Sequence, residues 1–227
     1  MLYRLDLHIH SSASNCFKTE EKNTQVINQG IIQKAKSLNL NMIGITDHYS
    51  VKNFQDIKIL ADIENITVLP GVELSLKTHL PEKVSLVVLF KENTDPVFIK
   101  KILLKLNVPE ETYGNGKYLL NQNIEKILSI LRENDCLVIS AHQDKNESRI
   151  SYIPILISNG ILLFDLHSPD NKDEFIKIFG KYNIIPLKFS DAHEINNVGK
   201  YFMELPLSSC SYEGVIKYFK DLQNIFQ

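Results

Sequence analysis

The sequence predicts an α/β fold built from mainly parallel strands, and three observations carry that prediction. Short β-branched and Leu-rich runs recur between turn residues, helical periodicities lie between most of them, and the strands are apolar nearly throughout. Strands buried on both faces read as continuous apolar runs, and alternation of β with α implies crossover helices. A closed barrel and a doubly wound sheet both satisfy the pattern. At 227 residues the chain has the length of one α/β barrel, about 200 to 250 residues, so a single domain over 1–227 is expected.

The strands are expected at Tyr3 to Ile9, Met42 to Thr46, Ile66 to Leu74, Val84 to Phe90, Leu137 to Ala141, Ile161 to Leu166 and Ile184 to Phe189. Each is bounded by turn formers. After Thr24, a candidate helix cap, Ile27, Ile31, Ala35 and Leu38 keep one helical face, and Ile124, Ile127, Leu128 and Leu131 do so later. A last helix follows Ser211, with Val215, Phe219, Leu222 and Phe226 on its inner side. The stretch from Asn107 to Asn121, with Pro109, Gly114, Asn115 and Gly116, reads as a loop excursion, and a loop there is placed to cover a pocket.

Composition narrows the function classes. A formal net charge of -2 gives no basic field for sequence-independent nucleic-acid binding, so a nucleic-acid substrate needs a local groove or a partner. The amino terminus lacks an apolar core of signal-peptide length and no apolar run reaches membrane length, which leads us to expect a cytoplasmic protein with no membrane partner. Cys16, Cys136 and Cys210 are odd in number and widely spaced. Reduced, inert thiols are expected of them.

The chemistry lies in where acids and imidazoles fall. Asp6, His8 and His10 alternate on the first strand, Asp47-His48 ends the second, and Glu73 ends the third. His142 follows Ala141, Asp165 and His167 close the next strand, and Asp191 and His193 come just after Phe189. In a parallel barrel those strand ends converge on one face. His8 and His10, one residue apart, point to the same side and can grip one cation, and a carboxylate such as Glu73 can bridge two. Mixed nitrogen and oxygen donors suit zinc, manganese or iron rather than calcium or copper(I). His79, in a loop beside Pro81, and His167 are as readily ordinary side chains or substrate contacts as ligands. A Ser/His/Asp nucleophile is not supported, because no Gly-x-Ser-x-Gly elbow occurs.

In order, Asp6-Leu7-His8-Ile9-His10-Ser11, Thr46-Asp47-His48, Gly71-Val72-Glu73, Ala141-His142 and Ser190-Asp191-Ala192-His193 resemble the motifs of the PHP superfamily, named for bacterial DNA polymerases and histidinol phosphatase. The resemblance implies a distorted (β/α)7 barrel of mainly parallel strands holding two or three divalent metal ions, in a family that hydrolyses phosphomonoesters, nucleotides or nucleic acids. Carried over by motif, His8, His10, Glu73 and Asp191 hold a first metal, Glu73 bridges to a second shared with His142, and His48 and His193 serve a third. Asp47 then orients an imidazole.

Two departures accompany the resemblance. Ser14-Asn15 stands where an Asp usually follows the second His, and Ser85 stands where the family places a His. Water, His79 or another loop residue then completes those shells, or a site is weak. The implied reaction is attack on phosphorus by metal-activated water, with His193 as a proton donor and Arg149 as a phosphate fork. The alternative is a partly degenerate module acting as a regulatory or interaction subunit. The segments Ser190 to His193, Val198 to Lys200 and Ser211 to Val215 also resemble PHP modules joined to ATPase domains, which raises an ATPase partner in a nucleic-acid-processing complex.

Overall fold

The structure, a computed structural model, describes residues 1–79 and 81–225. Phe226, expected on the inner side of the last helix, lies outside them. The strands are β1 Tyr3–Ile9, β2 Met42–Ile45, β3 Thr67–Leu76, β4 Val84–Leu89, β5 Leu137–Ala141, β6 Leu163–Asp165, β7 Ile185–Leu187 and β8 Met203–Leu205. The helices are α1 Thr24–Ser37, α2 Phe54–Ile63, α3 Pro96–Lys105, α4 Ile124–Arg132, α5 Glu147–Ile150, α6 Ile153–Ser158, α7 Lys172–Phe179 and α8 Tyr212–Ile225. None of the described helices is long and apolar enough to cross a membrane.

The strands form one sheet in the order β7-β6-β5-β4-β3-β2-β1-β8. It nearly closes into a barrel, because the chain beyond β7 returns to β1 through a parallel bridge between Ile9 and Ala192. The α/β barrel class holds, with two antiparallel strands among the parallel ones. β4 runs antiparallel to both β3 and β5, and β8 runs antiparallel to β1. The connection from Leu76 to Val84 is a hairpin, too short for the crossover of about twelve or more residues that a parallel pair needs. The antiparallel turn of β4 brings its first residues, not its last, to the face where β3 and β5 end.

Two apolar layers hold the barrel. Inside, Leu5, Leu7, Leu69, Val87, Ile139, Leu163 and Leu187 meet, and Val215 and Phe219 of α8 close the bottom. Outside, Ile43, Ile45, Val68, Val72 and Leu86 pack against Ile27, Ile31, Ile57 and Ile99 from the helices. Each fully buried aliphatic side chain of this kind stabilises by roughly 1.5–3 kcal/mol. The helix ends follow their caps. Asn23, one residue before the expected Thr24, accepts from the Gln25 amide at 2.9 Å, and Ser211 Oγ accepts from the Gly214 amide at 3.1 Å.

One irregularity positions the chemistry. The β1–β2 pairing runs from Asp6 opposite Ile43 to Ile9 opposite Ile45, so three steps along β1 match two along β2. This is a bulge, which re-aims side chains beside it. Leu5 and Leu7 face the barrel interior, and after the extra residue His8 and His10 also face inward while Ile9 packs outward. Asp6 does not join them, although it alternates with them in sequence. Its carboxylate accepts from the Ser190 amide at 3.0 Å and the Gly199 amide at 2.9 Å. Burial pushes its pKa up to about 6. Gly44 accommodates the bulge, since a Cβ there would lie 2.6 Å from the Leu7 carbonyl oxygen.

Candidate metal centre

Side chains from six strand ends meet at one end of the barrel. His8 Nε2 lies 3.3 Å from Asp191 Oδ1 and 3.7 Å from Glu73 Oε2. His10 Nε2 lies 3.3 Å from the same Glu73 oxygen and 3.4 Å from the same Asp191 oxygen. His48 Nδ1 approaches Glu73 Oε2 at 3.3 Å, and His142 Nε2 approaches Asp191 Oδ2 at 3.3 Å. The geometry makes Glu73 a hinge between His8, His10 and His48, and Asp191 a hinge between His8, His10 and His142. The sequence-expected pairing of Glu73 with His142 is not the one drawn by these distances. His142 stands instead with His8 and Asp165.

Four of the imidazole nitrogens aimed at this point, His8 Nε2, His10 Nε2, His48 Nδ1 and His142 Nε2, are buried without a hydrogen-bond partner, as is Asp191 Oδ1. Buried polar atoms are normally satisfied, and an unsatisfied cluster asks for a missing ion or water. The donor set fits a divalent cation. His8, His10, Glu73 and Asp191 each offer one atom within 4.8 Å of the others, and so do His8, His142 and Asp165.

The hydrogen bonds behind these candidate ligands set which ring nitrogen faces the centre. His8 Nδ1 lies 2.9 Å from Asp165 Oδ2, and a carboxylate only accepts, so Nδ1 carries the proton and Nε2 is left to face the centre. Asp165 is held in turn by the Phe189 amide at 2.9 Å. Ser14 Oγ donates its one proton to Asp47 Oδ1 at 2.6 Å and so accepts from His10 Nδ1 at 3.1 Å and the His48 amide at 3.0 Å. Asp47 also accepts from the amide and hydroxyl of Ser11, at 2.8 Å and 2.6 Å. Its link to an imidazole runs through Ser14, which stands between it and His10. His193 Nδ1 donates to the Asp191 carbonyl at 2.8 Å.

Charge follows from this packing. Burial opposes a charged His8, yet the Asp191, Asp165 and Glu73 carboxylates around it hold its pKa well above the usual value. The same contest pushes His10 up to about 9, against burial, through Asp191 and Glu73. Burial also disfavours the Glu73 and Asp191 carboxylates, but the histidines hold both well below the ordinary range. In the metal-free protein this packing favours the protonated forms of His8 and His10 and the ionised forms of Glu73 and Asp191. Burial lowers His48 to about 3 and lowers His193, which His10 lowers further, so both are neutral at physiological pH.

Backbone conformation marks the site as well. His142 and Asp191 have φ of 61° and 48°, in the left-handed region that costs a non-glycine residue about 1–3 kcal/mol and that recurs at functional positions. The amide of His142 is held by the Asp165 carbonyl at 2.8 Å.

The other expected site residues fall as follows. Arg149 is buried, donating to the His142 carbonyl at 3.4 Å and pairing with Glu82 at 3.6 Å, so it braces the His142 turn rather than standing open as a phosphate fork. His167 sets its ring edge-on to His142 at 5.9 Å, on the rim. His79 lies against Tyr152 and joins none of the ligand groups among the described residues. Asn15 faces away from the centre and accepts from the Gly116 amide at 3.3 Å. Ser85 is buried across from Ser75 and Ala141 with its hydroxyl unpartnered.

Three residues to which the sequence reading gave no role in the centre belong to the site. Asp165 and Ser14 orient His8 and His10, and Cys16 gathers with His10, His48 and His193. The expected excursion from Asn107 to Asn121 is docked on the site: the Gly114 amide donates to the His48 carbonyl at 2.7 Å, and the Leu120 amide to the Ser75 carbonyl at 2.8 Å. A Cβ at Gly116 would lie 2.6 Å from the His48 ring. Lys83 Nζ donates to Ser75 Oγ at 2.9 Å and the Gly116 carbonyl at 3.2 Å, setting a cation beside His48.

Three solved structures share the fold: a candidate metal-dependent phosphoesterase from Bifidobacterium adolescentis, an amidohydrolase from Chromobacterium violaceum with bound sulfate and no metal, and PsfC from Pseudomonas syringae. The first is 12% identical, with a TM-score of 0.63 over 95% of each chain. The second is 17% identical, with a TM-score of 0.64 over 89% of this chain and 92% of the other. The third is 14% identical, with a TM-score of 0.65 over 99% and 97%. No curated protein sequence matches the chain. The model of the PHP domain matches residues 6–184, which takes in His8, His10, His48, Glu73 and His142 and stops short of Asp191 and His193. With that match over most of its length, the chain belongs to the PHP domain family.

Proposed function

We propose that the protein is a metal-dependent phosphoester hydrolase in which metal-activated water, rather than a side chain, attacks phosphorus. The observation that carries this reading is the convergence of unpartnered buried nitrogens of His8, His10, His48 and His142 on Glu73 and Asp191. Divalent zinc, manganese or iron bound there supplies Lewis acidity that lowers the pKa of water and offsets charge developing on the phosphoryl oxygens.

The protein's own groups divide the work. His8, His10, Glu73 and Asp191 hold the central cation, with His142 and His48 on either side. Asp165 and Ser14 fix the imidazole tautomers. Lys83 places an ammonium beside His48, with one of its three N–H bonds beyond those given to Ser75 and Gly116, and this suits a phosphate oxygen. His193 is neutral because burial and His10 lower its pKa, so it serves as a ligand or proton acceptor more readily than as a proton donor.

Substrates of this chemistry are a phosphorylated small molecule or a nucleic-acid strand. The test is metal content together with zinc- and manganese-stimulated hydrolysis of a phosphomonoester, a phosphodiester and labelled single-stranded DNA and RNA, in wild type and His8→Ala. Two or more metals per chain with turnover lost in the variant support the reading. One metal or none, without turnover on any substrate, favours the second reading, a regulatory or interaction module working with an ATPase partner. That reading draws on Ser85, which brings no imidazole to His142, and copurification with an ATPase would support it.

A further inference from the structure

We infer that Cys16 is a metal ligand, supplying with His48 and His193 a thiolate-bearing site beside the central cluster. The inference rests on the metal-centre reading above and deepens it. Sequence comparison within the motif makes the position after Ser14 look vacant, because Asn15 is not an acid. The structure turns Asn15 outward, where its side chain joins Gly116 and Asn115, and brings the next residue in. One donor atom each from His10, Cys16, His48 and His193 lies within 4.8 Å of the others.

The neighbours of Cys16 point independently to a ligand. His48 Nδ1 is buried without a hydrogen-bond partner, on a side chain only 6% exposed. The His10 ring lies between those of His48, at 4.8 Å, and His193, at 4.3 Å. Because His193 Nδ1 is spent on the Asp191 carbonyl, its free donor is Nε2. The backbone holds Cys16 in place from both sides: the Asn15 amide donates to Gly114, and the Phe17 amide to Ser14.

The donor set decides the metal. Two imidazoles and a thiolate favour zinc or ferrous iron, whereas a carboxylate at this place admits manganese or magnesium, since soft sulfur discriminates where oxygen does not. Binding exchanges the thiol proton for the metal: the S–H bond breaks, the S–metal bond forms, and the proton leaves to solvent. The protein thus carries two kinds of site, a nitrogen and oxygen site at Glu73 and Asp191 and a nitrogen and sulfur site at Cys16.

Cobalt(II) loading tests this without reference to turnover. Wild type and Cys136→Ser/Cys210→Ser, in which Cys16 is the sole thiol, are expected to show a near-ultraviolet thiolate-to-cobalt charge-transfer band. Cys16→Ser is expected to lose the band and one equivalent of retained zinc, and Cys16→Asp to regain the equivalent without the band and to accept manganese there. In the double variant, zinc is also expected to slow alkylation of Cys16 at least about tenfold, reversed by a chelator. Cobalt bound with no thiolate band in wild type, a band that survives Cys16→Ser, or alkylation unaffected by zinc overturns the role of Cys16 alone. A protein that binds no cobalt overturns the metal centre with it.

Discussion

Asp165 accepts a hydrogen bond from His8 Nδ1 at 2.9 Å and thereby leaves Nε2 of His8 as the nitrogen that faces Glu73 and Asp191. Replacing Asp165 with Asn keeps an oxygen for the Phe189 amide but can turn an amide N–H toward Nδ1. The imidazole then carries its proton on Nε2, where it cannot bind a cation. Asp165→Asn is expected to fold and to bind zinc about 10- to 100-fold more weakly, the range typical of lost support behind a ligating histidine. Competition with a chromophoric chelator measures this, and wild-type affinity in the variant would remove Asp165 from the site.

Ser14 is the corresponding hub behind His10. Its hydroxyl joins Asp47, His10 Nδ1 and the His48 amide, all buried. In Ser14→Ala a carboxylate oxygen, a ring N–H and an amide lose one partner together. The metal-free variant is expected to be about 1–3 kcal/mol less stable in urea unfolding, the cost of leaving buried polar groups unmade, and its affinity for zinc falls as well. Ser14→Thr, which keeps the hydroxyl, is expected to recover most of the affinity. An unchanged Ser14→Ala in both measurements would mean that water fills the place of the hydroxyl.

These two residues show where sequence reading reached and where it stopped. The candidate positions were legible because parallel strands deliver their carboxyl ends to one face, so His8, Glu73, His142 and Asp191 stand out by position. Asp165 also ends a strand, but nothing in sequence says that it faces His8 rather than a cation. Cys16 was hidden by its neighbour, since a turn that points Asn15 outward points the next side chain inward. The antiparallel β4 had a signal in the short Leu76 to Val84 connection. The three-residue β8, which pairs with Tyr3, Arg4 and Leu5, had little. The bulge that sends Asp6 to the Ser190 and Gly199 amides rather than into the centre follows from tertiary pairing and leaves no mark in local periodicity.

Metal uptake is expected to release protons. In the metal-free protein His8 and His10 are raised above their usual value, His10 to about 9, so both are protonated near neutrality. The stabilisation from these charges is fully present below about 6.5 and is lost as pH rises through each raised pKa, about 9 for His10, because a raised histidine pKa favours the folded state only while the proton is bound. A cation must displace both protons. Zinc affinity therefore rises with pH by up to about 100-fold per pH unit while both groups are protonated, and at pH 7 close to two protons leave per central metal. Calorimetry in buffers of different ionisation heat reads this number directly. Heats independent of the buffer would show that His8 and His10 are already neutral.

Gly116 sets how closely the segment from Tyr113 to Tyr118 lies on the site. A Cβ there would stand 2.6 Å from both Nε2 and Cδ2 of His48, closer than any side chain tolerates. His48 has little room to yield, because its amide is tied to Ser14 and its carbonyl to the Gly114 amide. Gly116→Ala is therefore expected to lift the segment rather than move the ring. The Gly114–His48 and Lys83–Gly116 hydrogen bonds loosen first, and the lysine cation drifts from His48. Amide exchange at Gly114 should accelerate at least about tenfold, while global stability changes by less than about 1 kcal/mol because the barrel core is untouched. The KM for a phosphate ester should rise if Lys83 contacts the phosphate. Unchanged exchange at Gly114 would show that the ring, not the loop, gives way.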